Sequence, residues 1–423
     1  MAGPVHLHRT WLASLLRHLG RTGSWRYAEP TRDLRLDFLR GFAVCAMLVD
    51  HIGGEPSWLY VLTGGNRFFV SVAELFVAIS GFLVGSIYAT IIARQGLSQA
   101  LRKCLQRTWK LYSLTVLLTL GYASLALVLG FGWAPQLTAE TWPAFLLSVL
   151  TLQRTFEMTD ILLLYTLLLL ATMPVLSLLA HGATAVVLAG TWSLWGLWQI
   201  APQYAQVPWP IIDNTIFHFA PWQALFMSAL VLGYHRQRLT PRLAQLSPYQ
   251  VLWLSGLLVL GSIALYTWEP ASPELTALLA RLFDKPNLAP GRLLAFVSFL
   301  SFAWTLLTLA WQPLARALNW LLLPLGQQAL PAYTWHLVIL ALLRTVACGG
   351  MEHTSATVWS NMALQVLGVG CLWSVIVLQA PLLAACRSGL QTLQRFPAPQ
   401  RLRLYSLGTR TATLCLGLLR TCC

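Results

Sequence analysis

The segment "RGFAVCAMLVDH", residues 40–51, is apolar between an arginine at one end and Asp-His at the other. As an α-helix it is a membrane span with ionisable groups at both ends. Arg40 and His51 are eleven positions apart, which leaves them within about 20° of each other around the helix and about 16 Å apart along its axis. Asp37 and Met47 lie near the same stripe, whereas Asp50 points about 100° away from His51. One face therefore presents a cation near the inner surface and an imidazole in the outer half. An ionisable group in a span is costly and carries a functional hypothesis by default. The alternatives are that Arg40 snorkels to lipid phosphates and that His51 is a satisfied interfacial side chain.

The remainder of the chain fits a bilayer. Of 423 residues, 57% are hydrophobic and only 10% are charged, with 19 Trp, and the mean hydropathy is +0.63. Soluble domains are roughly a quarter charged, so a water-soluble fold is excluded. Apolar blocks of about 17–25 residues recur along the whole length, each long enough to cross as a helix. The expected fold is all-α, a polytopic bundle of about ten transmembrane helices. Spans are expected at 36–54, 69–93, 111–131, 160–180, 183–200, 217–235, 249–268, 292–312, 327–347 and 359–385. The fourth and fifth, joined at His181-Gly182, form two crossings or one re-entrant hairpin.

The net charge of +14 is not a nucleic-acid footprint, because its cations sit in alternate connections. They gather in 9–40, 94–110, 236–242 and from Arg387 onward, while Glu55, Glu140, Glu157, Asp160, Asp213, Glu269, Glu274, Asp284 and Glu352 occupy the others. The positive-inside rule then puts both termini in the cytoplasm. Residues 1–31 become a cytoplasmic basic arm, 32–386 the transmembrane domain and 387–423 a basic tail. Within the arm, "HLHRTWLASLLRHL" reads as an interfacial amphipathic helix or as disorder, and not as a cleavable signal peptide. The eight cysteines have no disulfide or metal-ligand spacing; Cys45, Cys371 and Cys386 read as small hydrophobes, and no metal is expected.

Further polar groups punctuate the spans. In "AELFVAISGFLVG", residues 73–85, Glu74 lies near the outer end, and Ser80, Gly81 and Gly85 permit close helix packing. "MTDILLLY", residues 158–165, sets Asp160 and Tyr165 at an outer mouth, where Asp160 also reads as a helix N-cap. "IFHFAPWQALF", residues 216–226, brings His218, Trp222 and Gln223 to the start of a span. "LGQQALPAYTWHLVIL", residues 325–340, places His336 inside another, as a catalytic group or as a bridge between helices. Connections 132–159 and 269–291 are long, and Trp58, Tyr60, Trp209, Trp268 and Trp311 sit where aromatic belts form. With no GxSxG elbow, HExxH, Walker loop or Rossmann fingerprint, any chemistry must use the helix-borne His, acids and Arg.

Taken together, these stretches resemble the OpgC-type branch of the acyltransferase-3 superfamily of integral membrane proteins, over roughly residues 31–385. The superfamily's Arg, ten residues, then His is matched by Arg40 and His51. Beside it stand "RDLRLDFLRG" (32–41), "AELFVAISG" (73–81), "DILLLY" (160–165), "FAPWQALF" (219–226), "KPNLAPGRLL" (285–294) and "LGQQALPAYTWHLVIL", in the branch's order. Two departures, "FAPWQ" for an Asn-Pro-Phe-like run and "QQALPAYTWH" for a Ser-rich one, bear on the acceptor more than on the chemistry.

The resemblance implies an O-acyltransferase of the bacterial inner membrane, moving a succinyl or acetyl group from cytoplasmic acyl-CoA to a periplasmic or exported glucan. Arg40, with Arg35 at the inner mouth, would pair with the CoA phosphates. His51 would act as general base on a glucan hydroxyl, or accept the acyl group first. Glu74 or Asp50 would orient the imidazole, His336 is a further catalytic candidate, and Asp160, Trp222 and Gln223 are acceptor-side candidates. Arg67, Arg154 and Arg344 are the cations to consider for a succinyl carboxylate. No bound cofactor is expected beyond acyl-CoA as donor substrate, and a glycan synthase complex is a conceivable partner. Two competing classes are a glycan or lipid transporter, whose matching broken helices are not found, and a non-catalytic synthase partner, which would tolerate loss of His51.

Overall fold

The structure is a computed structural model that describes residues 28–29, 32–129, 141–155, 158–243, 245–270, 272–348 and 357–394. The expected arm helix, Glu140, Glu157 and Glu352 lie outside these residues, as do the side chains of Arg344 and Cys386. Among the described residues the fold is all-α, with fifteen α-helices and one two-residue ladder, β1 (Ala28–Glu29) antiparallel to β2 (Arg32–Asp33).

Two compact units share the chain. The first takes its described residues from Met1–Gly53, Gln312–Leu343 and Trp359–Cys423, and the second from Gly54–Trp311 and Arg344–Val358. Unit 1 begins with α1 (Leu34–Ile52). Unit 2 follows with α2 (Tyr60–Thr63), α3 (Val72–Gln95), α4 (Leu97–Leu129), α5 (Trp142–Leu150), α6 (Asp160–Ala180) and α7 (Thr184–Ile200). It continues through α8 (Phe219–Tyr234), α9 (Arg236–Leu243), α10 (Pro248–Thr267), α11 (Pro273–Leu282) and α12 (Pro290–Leu309). The chain then returns to unit 1 with most of α13 (Trp311–Gln327), α14 (Ala329–Cys348) and α15 (Val358–Gln394).

Every expected span coincides with a helix, but fewer qualify as crossings. Among the described residues six helices, α3, α4, α6, α10, α12 and α15, have the length and apolar window to cross a membrane, which makes the chain a multi-pass membrane protein. Helix α8 and the Ala329–Leu343 part of α14 are apolar but shorter, and α7 has 17 residues. Helix α1 carries Arg35, Asp37, Arg40 and Asp50 within its 19 residues. Length and composition thus establish six candidate crossings among the described residues.

Other differences have local causes. The basic segment after residue 96 was expected as a connection, yet α4 runs unbroken for 33 residues. No Gly or Pro interrupts it between Leu97 and Leu120, so nothing removes a helical hydrogen bond there. The connection after residue 268 folds its own helix, α11, where the Ser272 side chain accepts from Leu275 N–H at 3.2 Å and Pro273 follows. The turn at His181-Gly182 appears as expected, with Gly182 at φ 79°.

Each unit is closed by glycine-mediated contact. In unit 2, a Cβ on Gly85 of α3 would lie 1.9 Å from the Leu230 carbonyl oxygen of α8, and one on Gly233 would lie 2.0 Å from that of Phe82. A threonine ladder joins α4 to the start of α6, with Thr119 and Thr159 hydroxyls 3.1 Å apart and Thr115 and Thr166 at 3.4 Å. In unit 1, a Cβ on Gly326 of α13 would lie 1.7 Å from the Asp37 carbonyl oxygen of α1. Helix α15 docks on the far end of α1, where Gln365 Nε2 donates to Gly53 O at 2.8 Å.

Candidate functional site

Helices α1 and α14 bring two histidines together inside unit 1. His336, 0% exposed, has its Nδ1 2.5 Å from the Tyr333 carbonyl oxygen one turn earlier. A carbonyl can only accept, so Nδ1 carries the proton. In a neutral imidazole Nε2 is then an acceptor, and it lies 3.3 Å from Nδ1 of His51. The rings stack at 5.5 Å with a 30° interplanar angle. The fixed acceptor at Tyr333 therefore puts a proton on Nδ1 of His51, which in a neutral His51 leaves the lone pair on Nε2. Asp50 and Arg40 are both half-buried on the same helix. Two further polar side chains of α15, Asn361 and Gln365, are buried in this unit.

The opposite end of α1 is a knot of ion pairs. Asp33 caps the helix and accepts from Arg35 N–H at 3.0 Å, while the Arg35 guanidinium turns back onto the same carboxylate at 2.7 Å. Arg32 grips the buried Asp37 in a bidentate fork, at 2.5 and 2.7 Å. Arg35 thus meets its own helix cap, and Asp37 carries more of this corner than the sequence suggested.

Unit 2 has its own buried centre. Glu74, 0% exposed, receives Arg292 Nε on Oε1 at 2.5 Å, with Arg292 only 5% exposed. Its Oε2 accepts from the Ser71 amide at 2.9 Å and from the Ser71 hydroxyl, closing a capping box at the start of α3. Among the acceptor-side candidates, Trp222 is fully buried and donates to Ile216 O at 2.9 Å. Gln223 is also buried and donates to Thr191 O and Ala220 O. Asp160 is the first residue of α6 and accepts the Ile161 N–H at 2.9 Å, with Thr159 in the cap position.

The remaining cations have occupations of their own. Arg67 pairs with exposed Glu55 at 2.7 Å, and Arg154 lies 5.5 Å from the Phe145 ring. His218 is tilted against the Trp198 ring at 5.0 Å. Arg292, Asn361 and Gln365 were not singled out from sequence. The available signal was a polar side chain within an apolar run, two residues after Pro290 in the case of Arg292.

With this geometry in hand, comparison adds a family. No curated protein and no solved structure matches the chain. Its residues 32–382, most of the 423, match the family profile described as OpgC protein. The chain belongs to the OpgC family, and is therefore a glucan-succinyltransferase-like membrane protein and an acyltransferase-like enzyme.

Proposed function

We propose that the protein is a membrane-bound O-acyltransferase that moves a succinyl or acetyl group from cytoplasmic acyl-CoA to hydroxyls of a periplasmic or exported glucan. The family match supports the reaction class. The observation that carries the site is the chain from the Tyr333 carbonyl through His336 to His51. In the tautomer it favours, Nε2 of His51 takes the proton of a glucan hydroxyl as that oxygen attacks the thioester carbonyl. The new C–O bond forms, the C–S bond breaks, and the proton passes from His51 to the departing CoA thiolate.

Arg40, about three turns from His51 on the same face, binds the CoA phosphates. Arg35 assists by exchanging its Asp33 partner for a phosphate oxygen. His336 orients His51, a role supported by its distance, whereas both oxygens of Glu74 are engaged by Arg292 and Ser71. Asp50 is the second candidate for that role, on its adjacency alone. Asp160, Trp222 and Gln223 are the acceptor-side candidates, a role that the family resemblance carries and that their backbone hydrogen bonds leave open to test. The alternation of Lys/Arg-rich connections supports about ten crossings with both termini cytoplasmic.

The test is His51→Ala in the purified, membrane-reconstituted protein, with acyl transfer to glucan followed by mass spectrometry. Transfer is lost while the thermal unfolding midpoint stays put; a variant that retains substantial activity removes His51 from the chemistry. The mass increment on wild-type product identifies the acyl group, and its carrier identifies the acceptor.

A further inference from the structure

The Glu74–Arg292 pair of unit 2 is incomplete in an informative way. Arg292 offers five N–H donors in a planar fork. Nε goes to Glu74 at 2.5 Å and Nη1 to the Phe283 carbonyl at 3.4 Å, whereas Nη2 is buried with no hydrogen-bond partner among the described residues. A fork normally gives both edge nitrogens to one carboxylate, but the second oxygen of Glu74 is held by Ser71. An unmade bond at a buried guanidinium is unfavourable enough to require an explanation.

The surroundings supply one. Phe283, whose carbonyl Arg292 contacts, stacks its ring on Phe69 at 3.8 Å. Phe68 and Phe69 both meet Tyr266 edge-on, at 5.4 and 5.3 Å, and Tyr266 is exposed. The loop carrying these rings holds Asn66, Phe68 and Phe69 at φ 59°, 58° and 64°. The left-handed region is costly for side chains of this size and is retained mainly where function requires it. A strained aromatic loop thus lies beside a buried donor that lacks an acceptor.

Charge decides what the acceptor is. Glu74 offsets Arg292, so a carboxylate on Nη2 would bury a second negative charge beside the first. A hydroxyl or ring oxygen adds none. Sugars combine such oxygens with an apolar C–H face that packs on aromatic rings. The geometry points to a glucan subsite in unit 2, in which Nη2 of Arg292 donates to a sugar oxygen and Tyr266, with Phe69 and Phe283, receives the pyranose face. This assignment rests on the acyltransferase reading only for the identity of the sugar polymer.

The test uses the full-length protein in lipid nanodiscs and β-linked gluco-oligosaccharides as probe, with binding measured by calorimetry and transfer by steady-state kinetics. Tyr266→Ala, on an exposed residue, and Arg292→Lys each weaken oligosaccharide binding and raise the acceptor KM by about tenfold, the size of one lost hydrogen bond or packed ring, with the acyl-CoA KM unchanged. His51→Ala binds the oligosaccharide as the wild type does. Unchanged acceptor binding in Tyr266→Ala, or no binding to the wild type, overturns the subsite. So does a change in succinyl-over-acetyl preference in Arg292→Lys at constant oligosaccharide affinity, which would assign Nη2 to the donor. If His51→Ala still transfers acyl groups while Tyr266→Ala loses oligosaccharide affinity, the catalytic reading fails and the subsite stands.

Discussion

Each unit holds a polar pair contributed by two distant helices, and the two pairs are built for different work. In unit 1, His51 and His336 meet through a long hydrogen bond between two imidazoles, with a backbone carbonyl behind them. In unit 2, Glu74 and Arg292 meet as full charges at 2.5 Å, with both carboxylate oxygens engaged. A neutral histidine chain can move a proton at little cost, because its states differ by a tautomer. A buried ion pair cannot give up either charge without leaving the other uncompensated. The first arrangement suits chemistry, the second suits fixing two helix starts and presenting a donor.

That contrast can be broken from either side. The largest expected effect is on turnover: His51→Ala lowers kcat by about 10²–10⁴-fold, the usual contribution of a general base, without a matching loss of stability. Glu74→Gln should do the reverse. It leaves Arg292 charged and unpaired, and unfolding in detergent should show a loss of about 3–5 kcal/mol. Replacing both partners, Glu74→Gln with Arg292→Met, should recover much of that loss; if the double variant is no more stable than the single one, the pair is not a coupled unit.

A smaller effect sharpens the role of His336. His336→Gln places an amide oxygen near the former Nε2, where it can accept from His51, while His336→Asn does not reach. We expect Gln to retain most activity and Asn to lose about tenfold in kcat at constant KM, the scale of one orienting hydrogen bond. Equal losses in the two variants would reduce His336 to packing. Smallest of all, Ser272→Ala removes the α11 cap and should cost about 1 kcal/mol, with transfer unaffected.

Much of the candidate site was legible because helix geometry is local. The shared face of Arg40 and His51 follows from 3.6 residues per turn, and α1 forms as expected over Leu34–Ile52. The rest was not legible because partners of buried polar groups are chosen across the chain. His51 meets a residue 285 positions away, and Glu74 meets one 218 positions away. Asp50, next to His51 in sequence, is turned onto another face by the helix that makes it a neighbour. Arg35 illustrates the same point at short range, since its cap partner Asp33 competes with any phosphate.

What the amino-acid sequence determined by itself was the solvent, the helices and the family: an apolar chain with confined cations must satisfy its backbone within helices in a bilayer. The small residues marked where helices approach, because a missing side chain is visible in the sequence. Tertiary structure alone decided which ionisable groups pair, which donor is left over, and which ring nitrogens of His51 and His336 face each other. Those depend on distances of a few ångströms between residues far apart in the chain, and hydrogen bonding and charge pairing are decided at that range.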